Sequence, residues 1–331
     1  MIINFKLEFG AIMKKIYRIA FAIVGVCVML FSCGCSSSKE NTDNGKIKIV
    51  ASAFPQYDLV RSIAGDKAEI VMLLPAGSEI HTYDPSVKDI MNVAECDVFV
   101  YNGGESDMWV NRVIDSAENK SMTGFAFMEN CTLLEEKIVK GMQHEHDEEH
   151  ENEEMSHDEH VWTSPVVLME IAQHLTDVLC EKNPENADVY KENYESYKEE
   201  LLALDEAFRN VRQASVRNTL VFGDRFPFAY FAEEYDLEYY AAFPGCASNT
   251  EASAKTLAFL SDKVKEENIP AVFTIEFSDG KIADAVCSDS GAKKLLFHSC
   301  HNVTKSQFDE GVTYLSLMYE NVDALREAIC S

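Results

Sequence analysis

The length, composition and charge of this chain limit the classes of function that it can have. With 331 residues, of which 47% are hydrophobic, the chain is long enough for two domains with buried cores. Its 56 acidic and 29 basic residues give a formal charge of −27. Such a surface repels phosphate backbones and attracts cations, so we expect no nucleic-acid partner, although charge of this kind also serves solubility alone.

Residues 1–35 have the pattern of a secretory signal. A positively charged segment precedes a 13-residue apolar run at 19–31, which suits a signal peptide and is short for a membrane-spanning helix. The run ends in LFSCGCSSS, which resembles a bacterial lipoprotein signal with Cys33, or as second choice Cys35, as the acylated residue. We therefore expect a lipid-anchored protein on the extracytoplasmic face of the cell membrane, with Met1 or Met13 as the start.

A polar tether is predicted at 36–46, and the body that follows contains seven cysteines. None of them forms a CxxC pair, so a thiolate zinc cluster or a thioredoxin-like site is not supported. An extracytoplasmic location permits disulfides, and the odd number leaves at least one thiol unpaired. Cys287 with Cys300 is the pair to test first.

Seven short apolar runs predict the strands of the body. They are rich in Ile and Val, are bounded by Pro or Gly, and are separated by segments long enough for helices, as in βαβ units. We predict an α/β protein with two lobes, 47–182 and 214–331, each with a mainly parallel sheet flanked by helices. A closing helix is predicted at the C-terminus. The strand segments are 46–52, 68–75, 96–103, 218–224, 237–245, 269–277 and 294–300.

One long rigid helix at 183–213 is predicted to join the two lobes. Asn183 is a good N-cap and Pro184 suits the first helical position. Apolar residues recur at alternating spacings of four and three, which places them on one helical face, and a helix of this length spans roughly 40 Å. A coiled-coil dimer is the weaker alternative, so we expect a monomer. The residues of this stripe are Tyr190, Tyr194, Tyr197, Leu201, Leu204, Phe208 and Val211.

Two histidines lie where a metal site is expected. His81, in GSEIHTYDPS, follows a predicted strand and precedes a helix, which is where α/β folds bind ligands. His160 lies in DEHVWTSP, where Asp158 could orient its imidazole and Trp162 could shield it from water. A lone loop histidine is more often simply solvated, so His81 is weak evidence by itself, whereas the combination of His, Trp and Pro around His160 is more specific than the histidine run upstream.

Five of the nine histidines fall between 144 and 160 in an acidic segment. We predict that 143–159 is a loop whose remaining histidines collect divalent cations weakly, because solvation alone does not require imidazoles. These histidines are His144, His146, His150 and His157.

The GSEIHTYDPS and DEHVWTSP segments, the His-rich preface and NPENADVYKENY leading into a long helix together resemble the solute-binding lipoproteins of zinc and manganese ABC importers, the ZnuA/TroA-like group. The resemblance runs in order from about Ile47 to the end. It implies two α/β lobes joined by one long helix, with a metal ion between them and an ABC transporter permease as partner.

The resemblance also implies the ligands. Two family histidines fall on His81 and His160. The third family ligand falls on Arg225, which cannot coordinate a cation, and one inserted residue moves it to Asp224, our choice. The fourth is a carboxylate in TIEFSDGKIADAV, for which Asp279 is the choice. Glu276 is the reserve for the fourth ligand. His301 is a reserve that the resemblance does not imply, because the family has no histidine ligand there, but it follows the last predicted strand and could approach the cleft. The competing roles are a helix cap for Asp279 and a salt bridge to Arg225 for Asp224.

The predicted function is therefore binding of Zn²⁺ for uptake, without catalysis. Two histidines with two carboxylates suit Mn²⁺ equally, and the His-rich loop favours zinc. A secreted zinc hydrolase is the rival from another class, but the chain has no HExxH-type motif. An additional adhesin role also stays open.

Overall fold

The computed structural model describes residues 46–79, 83–142, 157–247 and 251–331. The predicted signal, the lipidation candidates Cys33 and Cys35, and nearly all of the tether lie outside these residues. The described chain forms one compact unit, 46–331. No helix within it combines the length and apolarity that crossing a bilayer requires.

The first lobe is built on a parallel sheet of four strands in the order β2-β1-β3-β4. Every neighbouring pair is parallel, and β3 (VFVY) is buried along most of its length because helices cover the sheet. The strands are β1 (Ile47–Ala51), β2 (Ala68–Met72), β3 (Val98–Tyr101) and β4 (Thr123–Ala126).

The second lobe repeats this architecture with the order β6-β5-β7-β8, again parallel throughout. Its central strand β5 has a bulge between Phe222 and Arg225. At Gly223 a Cβ atom would lie 2.5 Å from the Cα of Ala283, so glycine allows a helix to approach the strand closely. The strands are β5 (Thr219–Phe226), β6 (Glu238–Pro244), β7 (Ala271–Thr274) and β8 (Lys293–Leu296).

Helices connect the strands and cover both sheets. Several begin with a clear cap: the Ser86 hydroxyl accepts a hydrogen bond from the Asp89 amide in a capping box, and Thr313 and Ser316 form another. The helices are α1 (Phe54–Ala64), α2 (Val87–Ala94), α3 (Trp109–Ala117), α4 (Pro165–Lys182), α5 (Ala187–Ala214), α6 (Ala229–Glu234), α7 (Ala254–Glu266), α8 (Lys281–Ser290), α9 (Lys305–Asp309) and α10 (Tyr314–Ile329).

The long helix is α5, which has 28 residues. Pro184–Asn186 form a separate 3-10 turn, capped by the Asn183 side chain, so the α-helix begins at Ala187 and not at 183. All seven residues of the predicted stripe are buried. They belong to one hydrophobic core that contains Phe54 of the first lobe and Phe222 of the second, so the two lobes share their packing.

The predicted fold class is confirmed, because two four-stranded parallel sheets flanked by helices lie on either side of α5. Strand β4 is not among the predicted strands, because TGFA lacks the β-branched run of the other strands. The seven body cysteines are all free thiols, and Cys287 and Cys300 are not bonded to each other. The disulfide suggested for that pair is therefore wrong for this structure.

Candidate metal centre between the lobes

His160 lies at the start of a short 3-10 turn, Val161–Thr163, that leads into α4. Its side chain is 1% exposed, and its Nδ1 lies 3.0 Å from Oδ1 of Asp158, whose same oxygen accepts the His160 backbone amide at 2.8 Å. A carboxylate in this position fixes the ring and its tautomer, as it does for many metal-bound histidines. The orienting role predicted for Asp158 has the required geometry.

Acidic groups surround His160. Burial acts to lower the pKa of this imidazole, but the charge and hydrogen bond of Asp158, with Glu159 and Glu136, raise it overall. Burial, together with the charge of Asp158, raises the pKa of Glu136, whose carboxylate accepts the backbone amides of Gly245 and Cys246. This concentration of carboxylates makes the position attractive to a cation.

The turn after β6 closes one side of the His160 ring. A Cβ atom at Gly245 would lie 2.9 Å from His160 Cε1 and 3.1 Å from Nδ1. Because real Cβ contacts of this length essentially do not occur, only glycine fits here without moving the ring. The second lobe therefore packs directly on this histidine.

His301, which follows β8, comes from the second lobe to the same place. Its ring centroid is 4.7 Å from that of His160, at an interplanar angle of 79°, and 5.1 Å from that of Trp162. Trp162 is 1% exposed and donates from Nε1 to the Ser299 carbonyl oxygen at 2.7 Å. Trp162 thus contacts both histidine rings and joins the lobes, while the shielding role predicted for it stays a prediction.

Glu276 and His301, the two residues held in reserve as ligands, are connected to each other. The Ser299 amide and hydroxyl donate to Glu276 at 2.7 and 2.6 Å, and the His301 amide donates to Glu276 at 3.1 Å. Both carboxylate oxygens of Glu276 therefore hold the backbone that carries His301. The sequence gives no sign of this link, because 25 residues separate the two positions.

Asp224 is buried and directed toward its own lobe. Its Oδ2 accepts the Thr274 hydroxyl at 2.8 Å and the Ile275 amide at 3.5 Å, while Oδ1 accepts the Arg225 amide at 2.9 Å. The carboxylate braces β5 against the end of β7. The salt bridge to Arg225 named as its competing role is absent from the ion pairs of the described residues, and Arg225 pairs with Glu79 instead, at 3.5 Å.

Asp279 lies on the surface beside the start of α8. Its carboxylate accepts the Lys281 amide at 3.0 Å and lies 2.5 Å from Lys281 Nζ, and the hydrogen bonds from Lys281 lower the pKa of Asp279. Its surroundings agree with the competing role, a helix cap. Neither Asp279 nor Asp224 contacts His160 or His301 by a hydrogen bond, so their ligand roles stay predictions without geometric support.

The remaining histidines fall into two groups. His81 lies within 80–82, and His144, His146 and His150 lie within 143–156, so all four are outside the described residues. His157 is exposed and its backbone bridges to Glu135. His174 is exposed within α4, and His298 lies 3.1 Å from Glu320.

Within the described residues, no three His, Cys, Asp or Glu side chains are grouped closely enough to hold a metal ion. The pair that is assembled, His160 and His301, needs a further donor, and the predicted N-lobe ligand His81 belongs to a part of the chain that is not described.

Residues 49–328 match the model of the zinc-uptake complex component A family, described as periplasmic. The chain belongs to this family. The family acts in metal uptake and not in catalysis, which confirms the prediction of a non-enzymatic binding protein and agrees with an extracytoplasmic location.

Named relatives support the family assignment. The chain is 30% identical over 314 residues to the high-affinity zinc uptake system protein ZnuA of Bacillus subtilis, covering 93% of this chain and 96% of that protein. It is 29% identical to the zinc-binding lipoprotein AdcA of Streptococcus pneumoniae, covering 94% of this chain but only 60% of AdcA. The chain therefore corresponds to one part of AdcA.

Solved structures agree with the fold. The Zn(II)-bound ZnuA-like domain of Streptococcus pneumoniae AdcA has a TM-score of 0.71 at 26% identity, covering 86% of this chain and 100% of that domain. The metal-dependent lipoprotein YcdH of Bacillus subtilis gives 0.73 at 26% identity, covering 86% and 100% of the two chains. The laminin-binding adhesin Lmb of Streptococcus agalactiae, at 24% identity, TM-score 0.72 and coverage of 85% and 98%, shares the fold alone, so the adhesin role stays a prediction.

Proposed function

We propose that this protein is an extracytoplasmic solute-binding protein that captures Zn²⁺ between its two lobes and delivers it to an ABC permease. The observation that carries the proposal is a buried imidazole, His160, oriented by Asp158 and in ring contact with His301 of the opposite lobe. Imidazole nitrogens in an acidic setting, without thiolate, suit a borderline divalent ion that must be bound and later released.

His81 and His160 of the first lobe are the proposed ligands, completed by donors from the His301 side of the second lobe. Ligands from both lobes would make the fit between the lobes depend on the metal, which gives the permease a difference to recognise. Since α5 and the shared core join the lobes, the difference between the metal-free and bound forms should be small.

The zinc assignment is supported by the relatives, which are named for zinc uptake or zinc binding. Anchoring through Cys33, or through Cys35, is the proposed means by which the protein stays beside its permease. The loop at 143–159 is proposed to collect ions near the site through its additional histidines.

Metal titration of residues 46–331, purified without a His-tag, tests the proposal. We expect one tight Zn²⁺ equivalent per chain, weaker binding of Mn²⁺, and a higher melting temperature with zinc, because a ligand at 100 times its Kd adds about 2.7 kcal/mol to the free energy of unfolding. Deletion of 143–156 should remove only weaker, additional ions.

The His160→Ala and His81→Ala variants should lose the tight equivalent, whereas His174→Ala should retain it as the matched control. Cells that depend on this protein for zinc should take up less ⁶⁵Zn with His160→Ala or Cys33→Ala. Full zinc binding by the His160→Ala protein would overturn the proposed site, and hydrolysis of peptides or esters by the zinc-loaded protein would favour the hydrolase instead.

A further inference from the structure

The segment after β8, residues 297–303, carries two histidines with different surroundings. His298 turns toward α10, where its amide donates to Asn321 at 2.7 Å and its Nε2 lies 3.1 Å from Glu320. His301 instead turns toward the first lobe and contacts the rings of His160 and Trp162. The segment therefore brings one imidazole, and not both, to the metal centre.

The backbone around His301 is held from both lobes. Ser299 uses its amide and hydroxyl to bind Glu276, and its carbonyl accepts the indole N–H of Trp162. Cys300 is fully buried and has φ of 60°, a left-handed conformation that the surroundings must impose on a residue other than glycine. Because the backbone of this loop is fixed, the direction of the His301 side chain is fixed as well.

In both His160 and His301 the Nδ1 atom of the imidazole is held by a neighbouring protein group. Nδ1 of His160 lies 3.0 Å from Asp158, and Nδ1 of His301 lies 2.5 Å from the Ser299 hydroxyl. Metal-bound histidines ordinarily have the nitrogen that does not bind metal held by a protein group. Because Nδ1 of each ring is held by a protein group, Nε2 is the nitrogen through which each residue would bind a metal ion.

We propose that His301 is a direct zinc ligand supplied by the second lobe, and that Glu276 and Ser299 are positioning residues that hold it against His160. This inference rests on the proposed function. With His160 it gives imidazole donors from both lobes, and imidazole suits zinc better than manganese, which prefers carboxylate and water oxygens.

The same segment is bonded to the chain that leads to His81. Asn302 Nδ2 donates to the carbonyl oxygens of Pro75 and Ser78 at 2.8 and 2.9 Å, and the Gly77 amide donates to Val303 at 2.8 Å. The segment that carries His301 is thus bonded to residues 75–78 of the first lobe as well as to Trp162.

In the described part of the second lobe, the other predicted donors are already engaged by other groups. The position on β5 where the resemblance implies a ligand holds Arg225, whose guanidinium pairs with Glu79. The oxygens of Asp224 are bound within its own lobe, and those of Glu276 hold the Ser299–His301 backbone. An imidazole from His301 supplies the donor that β5 does not.

The test compares His301→Ala with His160→Ala and with the exposed control His174→Ala in residues 46–331. Competition with a chelating dye gives the Kd for Zn²⁺ and for Mn²⁺, and X-ray absorption of the zinc-loaded proteins gives the number of imidazole ligands. We expect His301→Ala to weaken zinc binding by more than roughly 100-fold. That figure is the upper end of the loss seen when a group that only orients a metal ligand is removed. Manganese binding should change less, and the imidazole count should fall by one relative to the wild type.

Glu276→Gln separates positioning from ligation. It should weaken zinc binding by about 10- to 100-fold, the range for groups that orient a ligand, with the imidazole count unchanged from the wild type. A His301→Gly protein whose zinc affinity returns on addition of free imidazole would show that the loss comes from the missing nitrogen and not from misfolding.

The outcomes distinguish this inference from the function on which it rests. Wild-type zinc affinity in His301→Ala, together with lost affinity in His160→Ala, would overturn the inference and leave the proposed function intact. Wild-type affinity in both variants would overturn the proposed function. A carboxylate oxygen bound to zinc in the wild type that disappears in Glu276→Gln would make Glu276 the ligand and remove its positioning role.

Discussion

Gly245→Ala adds a single methyl group beside the proposed zinc ligand His160 and thereby tests the packing of the site. The new Cβ atom would lie 2.9 Å from His160 Cε1, 3.1 Å from Nδ1 and 3.0 Å from the Phe226 carbonyl oxygen. The backbone at Gly245 is not in the left-handed region, so alanine brings steric crowding without backbone strain.

The size of the effect follows from these contacts. An additional methyl group in a well-packed interior costs about 1 to 3 kcal/mol, which corresponds to a fall in melting temperature of roughly 2 to 5 °C for a protein of this size. The ring of His160 is the neighbour that moves, which weakens its 3.0 Å contact with Asp158. Loss of such an orienting contact lowers metal affinity by about 10- to 100-fold.

The assay measures zinc affinity by chelator competition and thermal unfolding by circular dichroism in the metal-free and zinc-loaded proteins. Gly124→Ala is the matched control, because a Cβ atom there would lie 3.4 Å from the nearest Tyr101 atom, an ordinary contact. If Gly245→Ala binds zinc as tightly as Gly124→Ala does, the turn after β6 does not press on His160 and the reasoning fails.

Three further predictions concern the same centre and the framework that supports it. Asp158→Asn should lower zinc affinity by about 10- to 100-fold, since it weakens the group that orients His160, and competition titration that shows no change would contradict this. Asp279→Ala should leave zinc affinity unchanged, because the carboxylate is paired with Lys281 at the surface; a large loss would restore Asp279 as a ligand. Phe208→Ala on α5 should reduce the free energy of unfolding by about 3 to 5 kcal/mol, because this ring is fully buried in the shared core. Urea denaturation measures the loss, with Leu202→Ala at an exposed position of the same helix as the control.

The architecture was predictable because it depends on local patterns. Seven of the eight strands lie in segments rich in β-branched residues, and the stripe from Tyr190 to Val211 matches the buried face of α5. The helix start was displaced from 183 to Ala187 because a 3-10 turn precedes it, a distinction that the capping residue Asn183 does not reveal.

The candidate site was predictable only in part. His160 was identified because Asp158, Trp162 and the imidazole lie close together in one short segment, and all three interact in the structure. Asp224 and Asp279 are predicted as metal ligands only from their positions along the chain. The structure shows that their carboxylates serve β7 and Lys281, contacts that depend on how the second lobe packs.

By itself the sequence determined the two α/β lobes, the long helix between them and the short segment that places Asp158 and Trp162 beside His160. These features depend on periodicity and motifs that extend over only a few residues. Only the tertiary structure decided that His301 meets His160, that Glu276 fixes the backbone of His301, and that Gly245 must be glycine. These relations join residues separated by 25 to more than 100 positions, and the spacing along a chain says nothing about where such residues come together once the lobes have packed.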